Sequence, residues 1–287
     1  MPPASDPTAP RPDAIPPATA PARPSLRLAL GPVDRPAWMW ALAALVVVSL
    51  VALLFPGIDL AVARLFHAPG VAYGTEFPAE SVLALQSLRS AGMAVTRWAT
   101  VLVVLALLAK IVAPLLARAI PTRSLLVVAS SLALGPGLLV NAFFKELWGR
   151  PRPSETTLMG GGWIFKPAWI PGGDCPTNCS FPSGEASGAA WLLALVVVAP
   201  ASWRRVALVP VLLWMAVISA NRIAFGSHFL SDVLVGWTMM ALVVTLAHEL
   251  FVVRLSESAL ARIDGWCERA SRAVFSRLGR RDLTPTN

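Results

Sequence analysis

Polar residues that could carry out chemistry are concentrated in three short segments of a strongly apolar chain. In the last of these, NRIAFGSHFLSD, five residues separate Arg222 from His228, and Asp232 lies four residues beyond the histidine. If a helix begins near Phe229, His228 and Asp232 lie one turn apart on the same face, so the carboxylate could hold one ring nitrogen and leave the other free. A histidine oriented in this way is a candidate nucleophile or base.

The first segment, KELWGRPRP, contains the basic residues Lys145, Arg150 and Arg152. Pro151 and Pro153 prevent a helix from continuing through it. Three cations so close together could bind an anion such as phosphate. The alternative is that they extend toward lipid headgroups, as basic residues at the ends of membrane spans commonly do.

The second segment, CSFPSGEAS, places Ser183 and Gly184 immediately before an apolar run. A helix that begins there offers free backbone amides and the positive end of its dipole to an anion, and the serine hydroxyl adds a donor. The alternative is an ordinary N-cap. Glu185 then lies in the first turn of this helix, and the function of an acidic side chain at this position has to be explained.

Two of the three cysteines, Cys175 and Cys179, precede this helix. In an oxidising compartment they could form a small disulfide, although so short a loop strains the bridge, and two free thiols are an equal alternative. A zinc site is less favoured because no second pair of ligands lies near them in the sequence.

Composition identifies the elements that must position these segments. The chain is 56% hydrophobic and 14% charged, with a mean hydropathy of +0.64, which is far too apolar for a soluble protein of 287 residues. Runs of about 18 to 22 apolar residues are long enough to cross a membrane as helices. Six apolar runs, of 16 to 25 residues, are predicted as spans: 38–55, 99–116, 125–144, 186–201, 206–225 and 229–253.

The distribution of basic residues predicts the orientation of these spans. Most lysines and arginines lie in the N-terminal segment, after spans two and four, and in the C-terminal tail, which indicates that these parts face the cytoplasm. Segments 56–98, 145–185 and 222–228 then share the opposite side. We therefore expect an all-α polytopic membrane protein, a bundle of six transmembrane helices with both termini in the cytoplasm and its active site at the periplasmic face of a bacterial inner membrane.

The two ends of the chain lie outside the bundle of residues 37–255. Residues 1–36 are rich in Pro and Ala and predict a disordered tail. Residues 256–287 predict a basic amphipathic helix on the anionic cytoplasmic leaflet. Binding to an anionic membrane surface thereby explains the net charge of +8, and the sequence contains no nucleic-acid-binding signature.

Taken together, the three segments resemble the motifs of the type 2 phosphatidic acid phosphatases, membrane relatives of the vanadium haloperoxidases. That family's motifs are Lys-x6-Arg-Pro, Pro-Ser-Gly-His and Ser-Arg-x5-His-x3-Asp. The first is met in full from Lys145 to Pro153, the second reads Pro-Ser-Gly-Glu at 182–185, and the third reads Asn-Arg at 221–222 and continues to Asp232. The resemblance covers predicted spans three to six.

The resemblance implies a role for each matching residue. His228 would attack phosphorus to give a phosphohistidine, with Asp232 stabilising the imidazolium, and water would then release phosphate without a metal or other cofactor. The phosphate oxygens would be held by five groups: Lys145, Arg152, Arg222, the Ser183 hydroxyl and the Gly184 amide.

Two positions depart from the family pattern. Asn221 replaces a serine, a mild change because both side chains can form hydrogen bonds. Glu185 replaces the histidine that protonates the leaving oxygen as general acid. A glutamate can do so only when protonated near neutral pH, which burial at the membrane edge favours and nearby cations oppose. We favour the acid role for Glu185; the alternative is that it anchors an arginine, with water or the substrate serving the leaving group.

The substituted motif and the cysteine loop look like the lipid A phosphatase branch of this family, which implies a phospholipid or glycolipid phosphate as substrate. Alternatives are phosphatases of undecaprenyl diphosphate or phosphatidylglycerol phosphate, which would use the same site. An inactive lipid-binding protein is a further alternative because of Glu185. A transporter would be expected to show polar or broken helices at the membrane midplane, and little of that is visible apart from Lys110.

Overall fold

The structure, a computed structural model, describes residues 27–29, 34–70, 76–112 and 119–279. These residues are mostly helical, as the sequence predicts. Two short antiparallel strands, β1 (Arg27–Ala29) and β2 (Asp34–Pro36), precede the bundle. The helices are α1 (Ala37–Leu54), α2 (Gly57–Arg64), α3 (Leu83–Val112), α4 (Thr122–Leu147), α5 (Gly184–Trp191), α6 (Leu193–Val198), α7 (Ala201–Ala224), α8 (Leu230–Arg254) and α9 (Glu257–Gly279).

Within the described residues, five helices are long and apolar enough to cross a membrane: α1, α3, α4, α7 and α8. They correspond to five of the six predicted spans. Helix α3 begins at Leu83, well before the predicted start at Ala99, because the Leu/Ala-rich segment after Glu80 continues the helix. Helix α4 changes from α-helical to π-helical over Ala133–Phe144, around the proline at position 136.

The predicted fourth span, 186–201, takes a different form. Helices α5 and α6 meet at a turn at Leu192, and together they cover Gly184–Val198, fewer than 18 residues. At about 1.5 Å per residue this is shorter than a hydrocarbon core of about 30 Å. The side chains of Ala186–Trp191 are all buried. Helix α5 is therefore enclosed by the protein, whereas α6 leaves Leu195 45% exposed.

Helix α8 forms the centre of the bundle, with half of its apolar window buried. Helix α1 packs along it, and α5 packs against both α8 and α7. Small residues permit this close packing, since a Cβ on Gly236 would lie 2.7 Å from the Ser187 hydroxyl. In contrast, only 6% of the apolar window of α3 and 17% of that of α1 are buried. Such large exposed apolar faces suit a lipid environment.

At one end of the bundle, α9 is held by polar contacts. The Thr122 hydroxyl donates a hydrogen bond of 2.5 Å to Asp264 and accepts one of 2.8 Å from Lys110. A helix in the predicted C-terminal tail is thus present, with residues 280–287 outside the described part. The predicted disorder of residues 1–36 lies largely outside it too, apart from β1 and β2.

Candidate active site

Residues of the first and second segments are joined by backbone hydrogen bonds at the opposite end of the bundle. The amide of Cys179 donates to the Lys145 carbonyl at 2.9 Å, and the amide of Ser180 donates to the Arg150 carbonyl at 2.8 Å. Cys175 donates in the same way to Gly149. The backbones approach so closely that a Cβ on Gly149 would lie 2.7 Å from the Gly173 carbonyl oxygen. The segment before α5 therefore lies directly against the end of α4.

The structure joins Cys175 and Cys179 in a disulfide, with their Cα atoms 5.7 Å apart. This decides between the two alternatives left by the sequence. The bridge closes a five-residue loop that includes Asn178. Asn178 has φ of 50°, in the left-handed region that asparagine tolerates better than most residues.

Two of the predicted phosphate-binding cations contact this loop. Lys145 Nζ donates a hydrogen bond of 3.0 Å to Asn178 Oδ1, and Arg152 Nη2 donates one of 2.9 Å to the Asn178 carbonyl. A Cβ on Gly184 would lie 3.3 Å from Lys145 Nζ, so the ammonium group lies beside the beginning of α5. The first turn of a helix presents backbone N–H groups without intrahelical partners, which favour an anion at the same place.

Arg222 completes the cluster from the end of α7. Its guanidinium is buried, and Nε lies 3.2 Å from Glu185 Oε1. Nη1 has no hydrogen-bond partner among the described residues. A buried guanidinium N–H without a partner is costly, so this group is available to an incoming anion.

Glu185 is shared between two arginines. Its Oε1 also lies 3.3 Å from Arg89 Nε on α3, a residue that the motif comparison did not identify. Its other oxygen, Oε2, is buried and has no hydrogen-bond partner within the described ranges. One oxygen of Glu185 thus orders the arginines, while the other remains free.

Ser183 is fully buried at the N-cap of α5. Its hydroxyl accepts a hydrogen bond of 3.3 Å from the Ala186 amide, and its own amide donates to the Asp232 carbonyl at 3.0 Å. Ser183 is therefore an N-cap residue in the structure, as one of the two alternatives from the sequence predicted. Accepting this bond leaves the hydroxyl hydrogen available as a donor.

The orientation of His228 fixes which of its nitrogens can react. Nδ1 lies 2.8 Å from the carbonyl oxygen of Ser180, and a carbonyl can only accept, so Nδ1 carries the hydrogen. Nε2 then has the lone pair, and it forms no hydrogen bond with the described residues. Burial lowers the pKa of His228 to about 3, with Lys145 and Arg222 lowering it further and Asp232 opposing them. The imidazole is therefore neutral at physiological pH.

Asp232 does not form the expected hydrogen bond with a ring nitrogen of His228. Its Oδ2 lies 3.7 Å from His228 Nδ1, too far for a hydrogen bond, which Nδ1 makes with Ser180 instead. The carboxylate is held by the Ser180 hydroxyl at 2.5 Å and the Phe229 amide at 2.8 Å. It stays close enough to stabilise positive charge on the ring electrostatically.

Arg150 belongs to this buried network rather than to the phosphate-facing cluster. Its side chain has no exposed surface and donates to Asp232, to Ser231 and, at 2.7 Å, to Asp59 on α2. Asp59 in turn accepts from the amide and hydroxyl of Ser231. Two buried carboxylates thus neutralise the guanidinium of Arg150, which is not among the five groups that the family resemblance assigns to phosphate.

The structure thus brings Lys145, Arg152 and Arg222 within electrostatic range of one another, and Lys145 and Arg222 within range of His228, with Glu185 and Gly184 beside them. Sequence reasoning missed the positioning groups: Asp59, Arg89, Asn178 and Ser180. The only signal in the sequence was their place in the segments predicted to face outward, 56–98 and 145–185.

Comparison with known proteins agrees with this arrangement. The family model of the PAP2 superfamily matches residues 124–255, which contain every predicted site residue. This matched segment, which is less than half of the chain, is similar to the PAP2 superfamily. Asp59 and Arg89 lie outside the matched PAP2 segment and contact it from the N-terminal helices.

Proteins similar to this chain include three named lipid A 4'-phosphatase. The Rhizobium etli protein is 46% identical over 115 residues, covering 40% of this chain and 45% of that protein. The Rhizobium leguminosarum protein is 44% identical over 115 residues, covering 40% and 49%. The Francisella tularensis subsp. novicida protein is 37% identical over 112 residues, covering 39% and 50%. The alignments thus span half or less of each relative.

A solved structure is also similar to this chain, the transmembrane PAP2 type phosphatidylglycerolphosphate phosphatase from Bacillus subtilis. The TM-score is 0.45 at 18% sequence identity, and the match covers 76% of this chain and 98% of that one.

We predict that Asp59→Asn destabilises the protein by about 3 kcal/mol, because it removes a charge from a fully buried ion network and leaves Arg150 undercompensated. Thermal unfolding in detergent measures the effect. The control is Glu249→Gln, which breaks an ion pair whose arginine is 66% exposed and should cost less than about 1 kcal/mol. Equal losses of stability in the two variants would contradict this account of Arg150.

Proposed function

We propose that this chain is an integral-membrane lipid phosphate phosphatase that hydrolyses a phosphomonoester through a phosphohistidine intermediate. The observation that carries the proposal is the state of His228. A neutral imidazole, buried and held with its Nε2 lone pair free, lies within electrostatic range of Lys145 and Arg222. Such a nitrogen is a nucleophile, and the cations would neutralise the charge of the phosphoryl group that it attacks.

The reaction would proceed in two displacements at phosphorus. In the first, Nε2 of His228 forms a bond to phosphorus while the bond to the lipid oxygen breaks, and the leaving oxygen takes up a proton. In the second, water attacks the phosphohistidine, releasing inorganic phosphate and restoring the neutral imidazole. The positive charge on the ring during the intermediate would be balanced by Asp232 at 3.7 Å. Lys145, Arg152, Arg222 and the N–H groups at the start of α5 would hold the three equatorial oxygens.

Glu185 is proposed as the group that protonates the leaving oxygen. Its Oε1 is engaged by Arg89 and Arg222, whereas Oε2 has no hydrogen-bond partner among the described residues. A bound phosphate would compete for the Arg222 guanidinium and place negative charge next to the carboxylate. Oε2 is the atom from which a proton would be donated as the ester bond breaks.

A lipid substrate is supported by apolar surface around the cation cluster. Leu147, two residues after Lys145, is 65% exposed, and Leu83, near the start of α3 and before Arg89, is 76% exposed. An acyl chain could lie against these side chains while its headgroup enters the cluster. The relatives' name favours the 4'-phosphate of lipid A. Undecaprenyl diphosphate and phosphatidylglycerol phosphate remain alternative substrates for the same chemistry.

The proposed topology keeps the site on the periplasmic side of the bacterial inner membrane, with both termini in the cytoplasm. In its support, the three predicted outward segments meet at one end of the bundle. The basic tail helix α9 lies at the other end, where Arg123 donates to the carbonyls of Phe251 and Leu255. Helices α5 and α6 together would act as the sixth span.

We predict that His228→Ala abolishes phosphate release from lipid A at saturating substrate, a loss of at least about a thousandfold, because the nucleophile is removed. The measurement is phosphate release by the purified protein in detergent with EDTA present. The control is His248→Gln, a histidine at the other end of α8, which should retain near-normal turnover.

Activity of His228→Ala near the unaltered level would remove the nucleophile assignment. Absence of turnover by the unaltered protein on every lipid phosphate would favour the alternatives of a lipid-binding or transport protein.

We predict that Glu185→Gln slows hydrolysis of lipid A about a hundredfold but hydrolysis of an activated aryl phosphate only a few fold, since a good leaving group needs no proton. Rates on the two substrates are compared in the same detergent. Equal losses on both would show that Glu185 instead acts by ordering Arg89 and Arg222.

A further inference from the structure

We propose that Asn178, held by the Cys175–Cys179 disulfide, is a positioning residue that sets Lys145 and Arg152 for phosphate. This inference rests on the proposed function, since it assigns those two cations to the phosphate. Asn178 uses two different oxygens, its side-chain Oδ1 for Lys145 at 3.0 Å and its carbonyl for Arg152 at 2.9 Å. One residue thus fixes the separation of two cations that come from opposite ends of the first segment.

The two cations need such a restraint for physical reasons. Lys145 and Arg152 are close enough to interact unfavourably, and each has a long, flexible side chain. Without a shared acceptor they would move apart toward solvent, and phosphate would have to bring them back at a cost in side-chain entropy. Neutral oxygens are suited to this task because they orient the cations without cancelling the charge that phosphate needs.

The disulfide loop holds Asn178 in the required conformation. Both cysteines are buried, and their backbone amides are bonded to Gly149 and Lys145 of the first segment. Asn178 itself is exposed and has a left-handed backbone, in which both of its oxygens reach the first segment. The bridge therefore ties the acceptor to the backbone of the chain whose cations it orients.

Substitutions at position 178 separate positioning from a merely structural role. Asn178→Gly keeps the left-handed backbone and the carbonyl but removes Oδ1, so only the restraint on Lys145 is lost. Asn178→Asp keeps the shape and the left-handed tendency, so a merely structural turn would tolerate it. It also adds a negative charge that would pair with Lys145 and repel an anion. Thr177→Ala, at an exposed neighbouring position in the same loop, is the matched control.

The test is the affinity of the full-length protein in detergent for inorganic phosphate, measured by isothermal titration. This readout does not require turnover. We expect Asn178→Gly to weaken phosphate binding about tenfold, the effect of one hydrogen bond to a charged group, and Asn178→Asp to weaken it more. Thr177→Ala should bind as the unaltered protein does. In lipid A hydrolysis, KM should rise in both variants at position 178 with little change in kcat.

A second measurement uses the unaltered sequence and does not depend on how a variant folds. Reducing the disulfide and alkylating the thiols should weaken phosphate binding at least as much as Asn178→Gly does, because it releases the contacts to both Lys145 and Arg152. The same treatment should have a smaller effect in Asn178→Gly, where the Lys145 contact is already absent.

Unchanged phosphate affinity in Asn178→Asp, or additive effects of reduction and Asn178→Gly, would overturn the proposal. Absence of hydrolysis by the unaltered protein would refute the proposed enzymatic function while leaving this binding test valid.

Discussion

The active end of the molecule depends on one buried guanidinium. Arg150 donates to Asp59 of α2 and to Asp232 of α8, and all three side chains are almost completely removed from solvent. A buried charge is tolerated only when groups of opposite charge surround it. The positions of Arg150, Asp59 and Asp232 therefore depend on one another. Asp232 then holds the Ser180 hydroxyl, and the Ser180 carbonyl fixes the tautomer of His228. The reactive lone pair is thus positioned by an ion network that does not contact the substrate.

The cluster of Lys145, Arg152 and Arg222 differs from the network around Arg150 in its charge balance. There, Lys145, Arg152 and Arg222 lie near one another. Their polar partners within the described residues include Glu185, the neutral oxygens of Asn178 and, for Arg152, Glu155 at 3.9 Å. Positive charge is balanced around Arg150 and is left in excess around the phosphate position. The balanced charges around Arg150 make this end of the bundle rigid, and the excess positive charge of the cation cluster attracts a dianion. Phosphoryl transfer requires both properties.

The sequence pointed to the candidate reacting groups, whose roles stay predictions, but not to the groups that position them in the structure. The spacing of Arg222, His228 and Asp232 follows from one helix end and is readable because the interactions are local. Asn178, Asp59 and Ser180 act through backbone carbonyls or through contacts between distant segments, which no local pattern encodes. The neighbours of Arg150 in the sequence are the cations Lys145 and Arg152, whereas its partners in space are carboxylates from distant segments. The fourth span was predicted as one helix, and apolar composition alone did not predict the turn at Leu192 or distinguish a helix facing lipid from one enclosed by protein.

The central claim is that His228 becomes covalently phosphorylated, and a rapid-quench experiment tests it most directly. Excess protein is mixed with lipid A radiolabelled in the 4'-phosphate, quenched in alkali, where a phosphohistidine survives, and digested for mass spectrometry. The account predicts an acid-labile label on the peptide containing His228, formed before free phosphate appears and absent from His228→Ala. Release of free phosphate with no labelled protein at any time, or a label on another residue, would contradict it.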